Sequence, residues 1–466
     1  MDKENLAVDV VVAGGGTAGS AAAWALARTG LSVMVLERRF IDQAGARWAN
    51  AVPPWFFDEF GIDRPKAPEL QRDEKSAWLI SRFGTCRAGM HDPMPYIGVD
   101  CRLLVQRLHS LGRDSGVVFE GDVSGATLEI DAHGRPVALT ARRGDTKSGG
   151  FPFRVAARLF VDASGTSGVL RRQAPAMARD CPPLQPDELC SGANQIRRIA
   201  DQGGAIAYLA ALGLQPGDTV NWAGVMGGFS TLVVHVRSDL QTVLITTGVS
   251  QDGGRGSGTG ILDDFVASNP WIGSTLFGGA GLIPIRRPFD RLCAPGIALV
   301  GDAACQVFPA HASGIGMGLM GARTLADAVA GSDDPGAEGP LWAYQSRFHR
   351  RYGAILGGFD AFRRLTVSMT GEDVGALVGE GFMTGDSLRL ALSQRLVPPR
   401  DAGLLASVVR AAARRPDIAA RLVASVARMA ATAALYRLHP ARPDRSALRR
   451  WSCSVAAALG GRPDVL

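Results

Sequence analysis

The feature that most constrains this chain is a glycine-rich turn set between two apolar runs near its start. Residues 8 to 13 (VDVVVA) predict a buried strand, AGSAAAWALART a helix stopped by Gly30, and LSVMVLE at 31 to 37 a second strand. Strand, helix and strand in that order predict a parallel sheet covered by helices. Gly14, Gly16 and Gly19 fall in the pattern G-x-G-x-x-G between the first strand and the helix, and Glu37 closes the second strand. The first glycine permits a tight turn, the second admits the backbone to a pyrophosphate, and the third lets helix and strand pack. The N–H groups that open the helix then face the anion, and Glu37 accepts from ribose hydroxyls. Dinucleotide binding is the reading this unit supports. Thr17 and Ala18 in the turn, and Arg38 after Glu37, join it as candidate cofactor-contacting residues.

At 466 residues the chain has length for two or three domains. Residues 43 to 70, with four prolines, predict an irregular excursion, and 101 to 113 a helix. Turns at Gly125 and at 133 to 136 predict an antiparallel meander that feeds a further strand, ARLFVDAS. After Pro182 and Pro183, STLVVHVRS and LQTVLITTGVS predict a separate antiparallel sheet, and QDGGRGSGTG a surface loop. IALVGDAACQ returns to the strand-then-glycine style of the N-terminus, so two distant segments are expected to share one sheet. Beyond 340 the chain predicts helices, with Pro416 dividing two amphipathic ones and Pro440 closing the second. The expected organisation is α/β: a discontinuous cofactor domain of 1–48, 95–178 and 290–330, an antiparallel-sheet substrate domain of 49–94 and 179–289, and a helical region over 331–466.

Hydrophobic residues at 46% against 20% charged exclude extensive disorder. The net charge of +6 is too dilute over this surface to argue for nucleic acid. Seven widely spaced cysteines without C-x-x-C indicate neither a disulfide framework nor a metal site and fit a reducing, cytoplasmic compartment. The N-terminus does not read as a signal peptide, and arginines interrupt every long apolar run. Arg410, Arg414, Arg415, Arg421 and Arg428 among Ala, Val and Leu suit a solvated helix face or peripheral contact with an anionic membrane.

Two further segments carry a resemblance. LFVDASGTSGVLR at 159 to 171 places Asp162, Gly165, Ser167 and Arg171 as in the D-G motif of FAD-dependent aromatic hydroxylases. GDAACQVFPAHASGIG at 301 to 316 resembles the G-D motif of the same superfamily, with Gly301 and Asp302 at a strand end and Gly314, Ile315 and Gly316 opening a helix. With the first turn, three motifs stand in the superfamily's order over some 300 residues. The chain thus resembles the branch holding geranylgeranyl reductases, flavin-dependent halogenases and group A monooxygenases, which implies a glutathione-reductase-type FAD fold and FAD as cofactor. By that resemblance Asp302 holds ribityl hydroxyls, Arg102 contacts the flavin side and Val123 gives adenine a backbone contact. From the residues alone, Asp302 is a short acceptor suited to a polyol. His311, with an ordinary pKa near ~6.5, is the candidate for proton transfer, or else a group that orients flavin or caps the helix.

GLIPIRRPFD at 281 to 290 resembles the stretch before the G-D motif in the reductases. The Y-x-W-x-F-P segment of those reductases is absent, as is the W-x-W-x-I-P motif of the halogenases; Lys66 and Lys75 are the candidates for a halogenase-type lysine. The Trp and Phe residues between 48 and 60 line an apolar substrate cavity or pack in a core. The expected activity is reduction of a hydrophobic small molecule, a prenyl lipid or secondary metabolite, with hydroxylation or halogenation as alternatives on the same fold and non-catalytic FAD or prenyl binding as one of another class. No second dinucleotide unit is visible, so electrons are expected from transient NAD(P)H docking or from a partner reductase.

Overall fold

Short runs of Val, Ile and Leu without alternation form strands that must be buried on both faces, and five of them build one parallel sheet. The structure, a computed structural model, describes residues 4–71, 74–81, 87–91, 93–144, 149–396 and 409–465. In spatial order the six-stranded sheet runs Cys293–Ala294, Ile297–Leu299, Leu159–Asp162, Val10–Ala13, Val33–Leu36 and Val118–Glu120, parallel throughout except for the first hairpin. Its register is the key to the molecule. Leu299 pairs with Asp162, Asp162 with Ala13, Ala13 with Leu36, and Leu36 with Glu120, so five strands end in one row. Every loop that follows them emerges at the same edge.

Three helices, Thr17–Ala27, Cys101–Asp114 and Ile315–Val329, accompany this sheet. Small side chains set their distance: Ala21, Ala22 and Ala23 are fully buried, and a Cβ on Gly19 would stand 1.9 Å from the carbonyl oxygen of Gly14. The meander read at 117–143 is present, and its strands Val123–Ile130 and Pro136–Arg143 continue into Phe151–Ala156. Sequence patterning missed its fourth strand, Glu4–Ala7, which pairs parallel to Phe151–Ala156. That strand is half polar and carries no alternation to detect.

The second lobe is a seven-stranded sheet ordered Ile272–Pro284, Leu189–Ile199, Thr242–Ser250, Ser230–Val236, Asp218–Ala223, Ser76–Ser81 and Arg87–His91. Helices Gln202–Ala211 and Gly258–Ala267 cover it. The loop expected over 251–260 is shorter than read, because Ser257 caps the second of these helices, its Oγ accepting from the Gly260 N–H at 3.0 Å. The expected span of 49–94 for this lobe divides in two. Residues 76–81 and 87–91 lie in its sheet, whereas helix Trp55–Phe60 buries Phe56, Phe57 and Phe60 in the core of the first lobe, with the Phe60 ring 5.4 Å from Trp24. Proline-rich flanks hid this helix in the sequence.

The C-terminal region is helical, and Pro416 does divide two helical stretches: residues 409–414 are helical, the chain breaks at 415, and Pro416 opens helix Pro416–Arg437 at its first turn. Residues 397–408, ahead of the first stretch, lie outside the described residues. This 22-residue helix is long and apolar enough by length and composition to cross a membrane, with mean hydropathy 1.5 over its most apolar window, despite Arg421 and Arg428. One face of it packs on helix Ala354–Val367, where the Tyr436 ring fills the space left by Gly353 and Gly357.

Candidate active site

The first turn closes tightly. Gly14 donates to Leu36 O at 2.8 Å and holds φ at +106°, with Ala163 O only 2.4 Å from where a Cβ would be, so no other residue fits. Gly15 donates to Glu37 Oε2 at 2.7 Å and accepts contact from His109 Nε2 at 2.9 Å. Glu37 Oε1 also accepts from Arg39 N–H at 3.0 Å, so the carboxylate braces the turn while standing at its rim. A Cβ on Gly16 would meet nothing within 4 Å, which is the open space a pyrophosphate needs. Thr17 opens the helix, and Ala18 faces the third motif: a Cβ on Gly301 would lie 2.6 Å from Ala18 Cβ, and one on Gly318 would lie 3.1 Å from it. The first and third motifs are therefore in direct contact. Arg38 is exposed beyond Glu37, and Val123 is buried with its N–H donating to Glu37 O at 3.0 Å, so that donor is not free for an adenine.

In the second motif Asp162 is fully buried and turned into the chain. Oδ1 accepts from Ser164 N–H at 3.0 Å and Ser164 Oγ at 2.6 Å; Oδ2 accepts from Leu170 and Arg171 N–H at 2.9 and 2.7 Å. Its side chain shapes the turn instead of facing a ligand. Gly165, at φ +71° with open space beyond, is the member of this motif that lies free, and Thr166 Oγ1 ties the turn to Leu282 O in the second lobe at 3.0 Å.

The third motif hangs on a buried chain of hydrogen bonds. Gly301 N–H donates to Gln306 Oε1 at 2.8 Å, Gln306 Nε2 to Tyr344 Oη at 2.8 Å, and Tyr344 Oη to Leu299 O at 2.5 Å. Cys305 and Ala312 take left-handed φ of 55° and 56°, a cost that packing on both sides of the loop sustains. Burial pushes the Asp302 carboxyl up to about 6, and no other charge among the described residues offsets it. Gly314 leaves room beside it, a Cβ there falling 3.0 Å from Asp302 Oδ1. Ile315 is buried in the core, and Gly316 is required by an aromatic ring, since its Cβ would stand 2.2 Å from Phe56. His311 lies 4.7 Å from the Phe308 ring, and burial pushes its imidazole down to about 4. Burial thus disfavours the imidazolium form of the candidate for proton transfer.

Buried polar atoms without partners collect around this groove. His311 Nε2, Ser313 Oγ and Arg102 Nε have none among the described residues, while Arg102 otherwise pairs with Asp100 at 3.2 Å and stacks 4.7 Å from Phe277. Orphaned buried donors and acceptors are costly unless a ligand satisfies them. With the empty space at Gly16 and Gly165 and the uncompensated Asp302, they suit a cofactor rich in hydroxyls, carbonyls and phosphates, as FAD is. Lys66 is exposed and Lys75 packs beside Gly217 in the second lobe. Sequence reasoning missed Gln306, Tyr344 and His109. His109 could have been found as the one imidazole on the apolar face of helix Cys101–Asp114, but Tyr344 carries no signal.

The fold and this groove define an FAD-dependent oxidoreductase. More particularly, the chain is similar in sequence to reductases of geranylgeranyl lipids, and its fold is shared with a geranylgeranyl reductase-like protein and with a flavin-dependent halogenase. Residues 9–56 match the family described as FAD dependent oxidoreductase (DAO). The chain is 23% identical over 400 residues to a digeranylgeranylglycerophospholipid reductase of Sulfolobus acidocaldarius, covering 80% of each. It is 26% identical over 356 residues to digeranylgeranylglycerophospholipid reductase 1 of Methanopyrus kandleri, 74% of this chain and 86% of that one. Its fold matches a geranylgeranyl bacteriochlorophyll reductase-like protein of Thermoplasma acidophilum at a TM-score of 0.67 and 15% identity, over 89% of this chain and all of that one. It also matches a myxobacterial chondrochloren halogenase at 0.57 and 16%, over 95% and 99%.

Proposed function

We propose that this chain reduces carbon–carbon double bonds in the prenyl chains of a membrane lipid. The observation that carries an FAD enzyme is the row of five strand ends, which brings three motifs separated by some 300 residues to one edge, with Ala18 against Gly301. Bound there, FAD supplies the two-electron chemistry of hydride transfer to an alkene carbon. The chain's own part is to hold and enclose. The turns at Gly14–Gly16 and Gly165 admit phosphates and sugar, Asp302 accepts from hydroxyls, and Phe56 and Phe308 keep the groove dry. His311, neutral at physiological pH, orients by hydrogen bonding and supplies no imidazolium proton.

A prenyl substrate is supported by the wall opposite. Trp48 lies across the second lobe's sheet where a Cβ on Gly192 would fall 2.7 Å from its ring, and its indole Nε1 is 3.6 Å from that position on Gly279. Asn194 fixes this joint by bonding both Ala49 N–H and O at 3.2 Å. Phe277 and Leu282 on the neighbouring edge strand add apolar surface to the joint, with the guanidinium groups of Arg102 and Arg47 at 4.7 and 5.5 Å from the Phe277 ring. The long relatives named for digeranylgeranylglycerophospholipid reduction point the same way.

A lipid substrate also gives the C-terminal helix a role at the bilayer surface. Arg414, Arg415 and Arg421 pair with Glu380, Asp417 and Asp373, but Arg428 and Arg437 carry no ion pair among the described residues. They flank exposed Val423, Val426 and Leu438, a face suited to peripheral contact with anionic lipid. The electron donor is NAD(P)H docking transiently or a partner reductase.

The test is anaerobic reduction of the FAD-loaded protein with a lipid bearing geranylgeranyl chains, the product weighed by mass spectrometry. A gain of two hydrogens per double bond supports the proposal. A gain of one oxygen in air makes the enzyme a hydroxylase, and an unchanged lipid with every donor refutes prenyl reduction.

A further inference from the structure

Behind the cofactor edge, where the parallel strands begin, the molecule holds a cavity of about 310 Å³. Pro295 on its wall precedes strand Ile297–Leu299, and Arg135 bonds Arg158 O just before strand Leu159–Asp162. The cavity therefore opens at the sheet edge opposite the three motifs. Its walls carry Arg135, Arg179, Arg291 and Arg445, with His133 at the lip. These come from four separate places: the turn between Val123–Ile130 and Pro136–Arg143, helix Pro175–Asp180, the segment before Cys293, and the start of helix Arg445–Leu459.

Two carboxylates hold the four guanidinium groups in place. Asp180, with its side chain 1% exposed, accepts from Arg179 Nε at 3.0 Å and Arg291 Nη1 at 2.6 Å and lies 3.5 Å from Arg445 Nη2. Burial pushes its carboxyl up, but hydrogen bonds from Arg179 and Arg291 outweigh this and keep it below its ordinary range. Arg135 pairs with Asp334 at 2.8 Å. The Asp131 carboxylate, which accepts from the His133 and Arg135 N–H groups at 2.9 Å, lies on the same turn, so four positive charges against three negative leave one uncompensated around one concave space. Asp180 is shared by three of the arginines, and each guanidinium has five N–H donors, so planar donors remain to face the cavity. A structural ion pair needs one arginine per carboxylate; this arrangement keeps a surplus and leaves a space beside it.

We propose that this cavity binds a phosphate-bearing anion, a diphosphate or phosphomonoester, held by the forked donors of Arg179, Arg445, Arg135 and Arg291. Arginine matches phosphate oxygens two at a time, and the volume sits at the lower bound of small-ligand pockets, about 300 Å³. The charge excludes the apolar substrate, and the position at the far edge separates the site from FAD. The same chemistry can come from a soluble metabolite or from the headgroup of a lipid presented by a bilayer.

The test uses FAD-loaded protein, so that the cofactor groove is filled, with pyrophosphate titrated calorimetrically at constant ionic strength in chloride. In parallel, vesicles of phosphatidylcholine with and without phosphatidic acid are floated with the protein. The variant is Arg179→Gln with Arg445→Gln, side chains 52% and 54% exposed. Saturable pyrophosphate binding that weakens about tenfold or more in the double variant, with flavin content and circular dichroism unchanged, supports a soluble ligand. Phosphatidic-acid-dependent flotation lost in the double variant, without pyrophosphate binding, supports a headgroup. Neither ligand binding, or both binding undiminished by the double variant, overturns the site.

Discussion

Gly16 and Gly19 stand three residues apart, and a methyl group fails at each for a different reason. Gly16→Ala meets no protein atom, so the flavin-free protein keeps its stability to within about 0.5 kcal/mol while FAD affinity falls. Gly19→Ala drives a Cβ into Gly14 O and costs about 1–3 kcal/mol, measured by urea denaturation. Equal losses from the two would show that Gly16 serves packing only. Asp302 titrates in the opposite sense to most carboxylates. Its folded pKa, raised to about 6, lies above the ordinary 3.8, so its contribution to stability is full below pH 3.8 and lost as pH rises through 6. In flavin-free protein, Asp302→Asn should therefore gain on the natural chain by up to about 3 kcal/mol between about pH 4 and 7, and parallel denaturation curves would contradict the burial argument. For His311 the folded pKa of about 4 lies below the ordinary value, so the ring stays neutral above about pH 5. His311→Gln should leave the shape of the pH profile of kcat unchanged from about pH 6 to 8; an inflection lost with the imidazole would restore it as an acid. The glycine pattern and Asp302 were legible because turn geometry restricts residue type. The state of His311 was not, since its pKa depends on Phe308 and on burial that only the fold creates.

At the level of elements, the strand Ile297–Leu299 and its turn are fixed by a helix forty residues downstream. Tyr344 of helix Glu338–Phe348 bridges Leu299 O and Gln306. Tyr344→Phe takes this hydroxyl from Gln306 Nε2 and from Leu299 O, while Gln306 Oε1 keeps the Gly301 N–H, and should cost about 1–3 kcal/mol, with a matching fall in flavin retention on gel filtration. Stability lost with flavin retained would detach this network from the cofactor loop. Strands of continuous Val, Ile and Leu announced the parallel sheet, and the Ala-rich segment its covering helix. Tyr344 belongs to no periodic pattern, and a hydrogen bond across 45 residues leaves no local trace. Helix Trp55–Phe60 was obscured likewise, its aromatics fitting a substrate wall as well as the core they occupy.

Over the whole molecule, the two ends of the cofactor machinery are joined by charge. Arg286 and Arg287, in the IPIRRPFD segment, are buried, and Asp464 at the extreme C-terminus takes two bonds of 2.8 Å from Arg286 and lies 3.7 Å from Arg287. Asp290 is paired with Arg287 and reached by Ser452. Asp464→Asn takes the two short bonds from Arg286, which keeps only Glu188, at 3.5 Å, as a carboxylate partner among the described residues, and should cost about 1.5–3 kcal/mol and lower Tm. A Tm within error of the natural chain would mean the tail does not anchor that segment. The sequence displayed both arginines but not their partner 178 residues away, because separation in sequence hides pairing in space. The most direct trial of the account is FAD titrated into flavin-free protein, followed by quenching of flavin fluorescence. Saturation at one FAD per chain is expected, weakened about tenfold or more by Gly16→Ala and by Asp302→Ala. Absence of saturable binding, or saturation that neither substitution alters, would contradict a single cofactor held where the strand ends align.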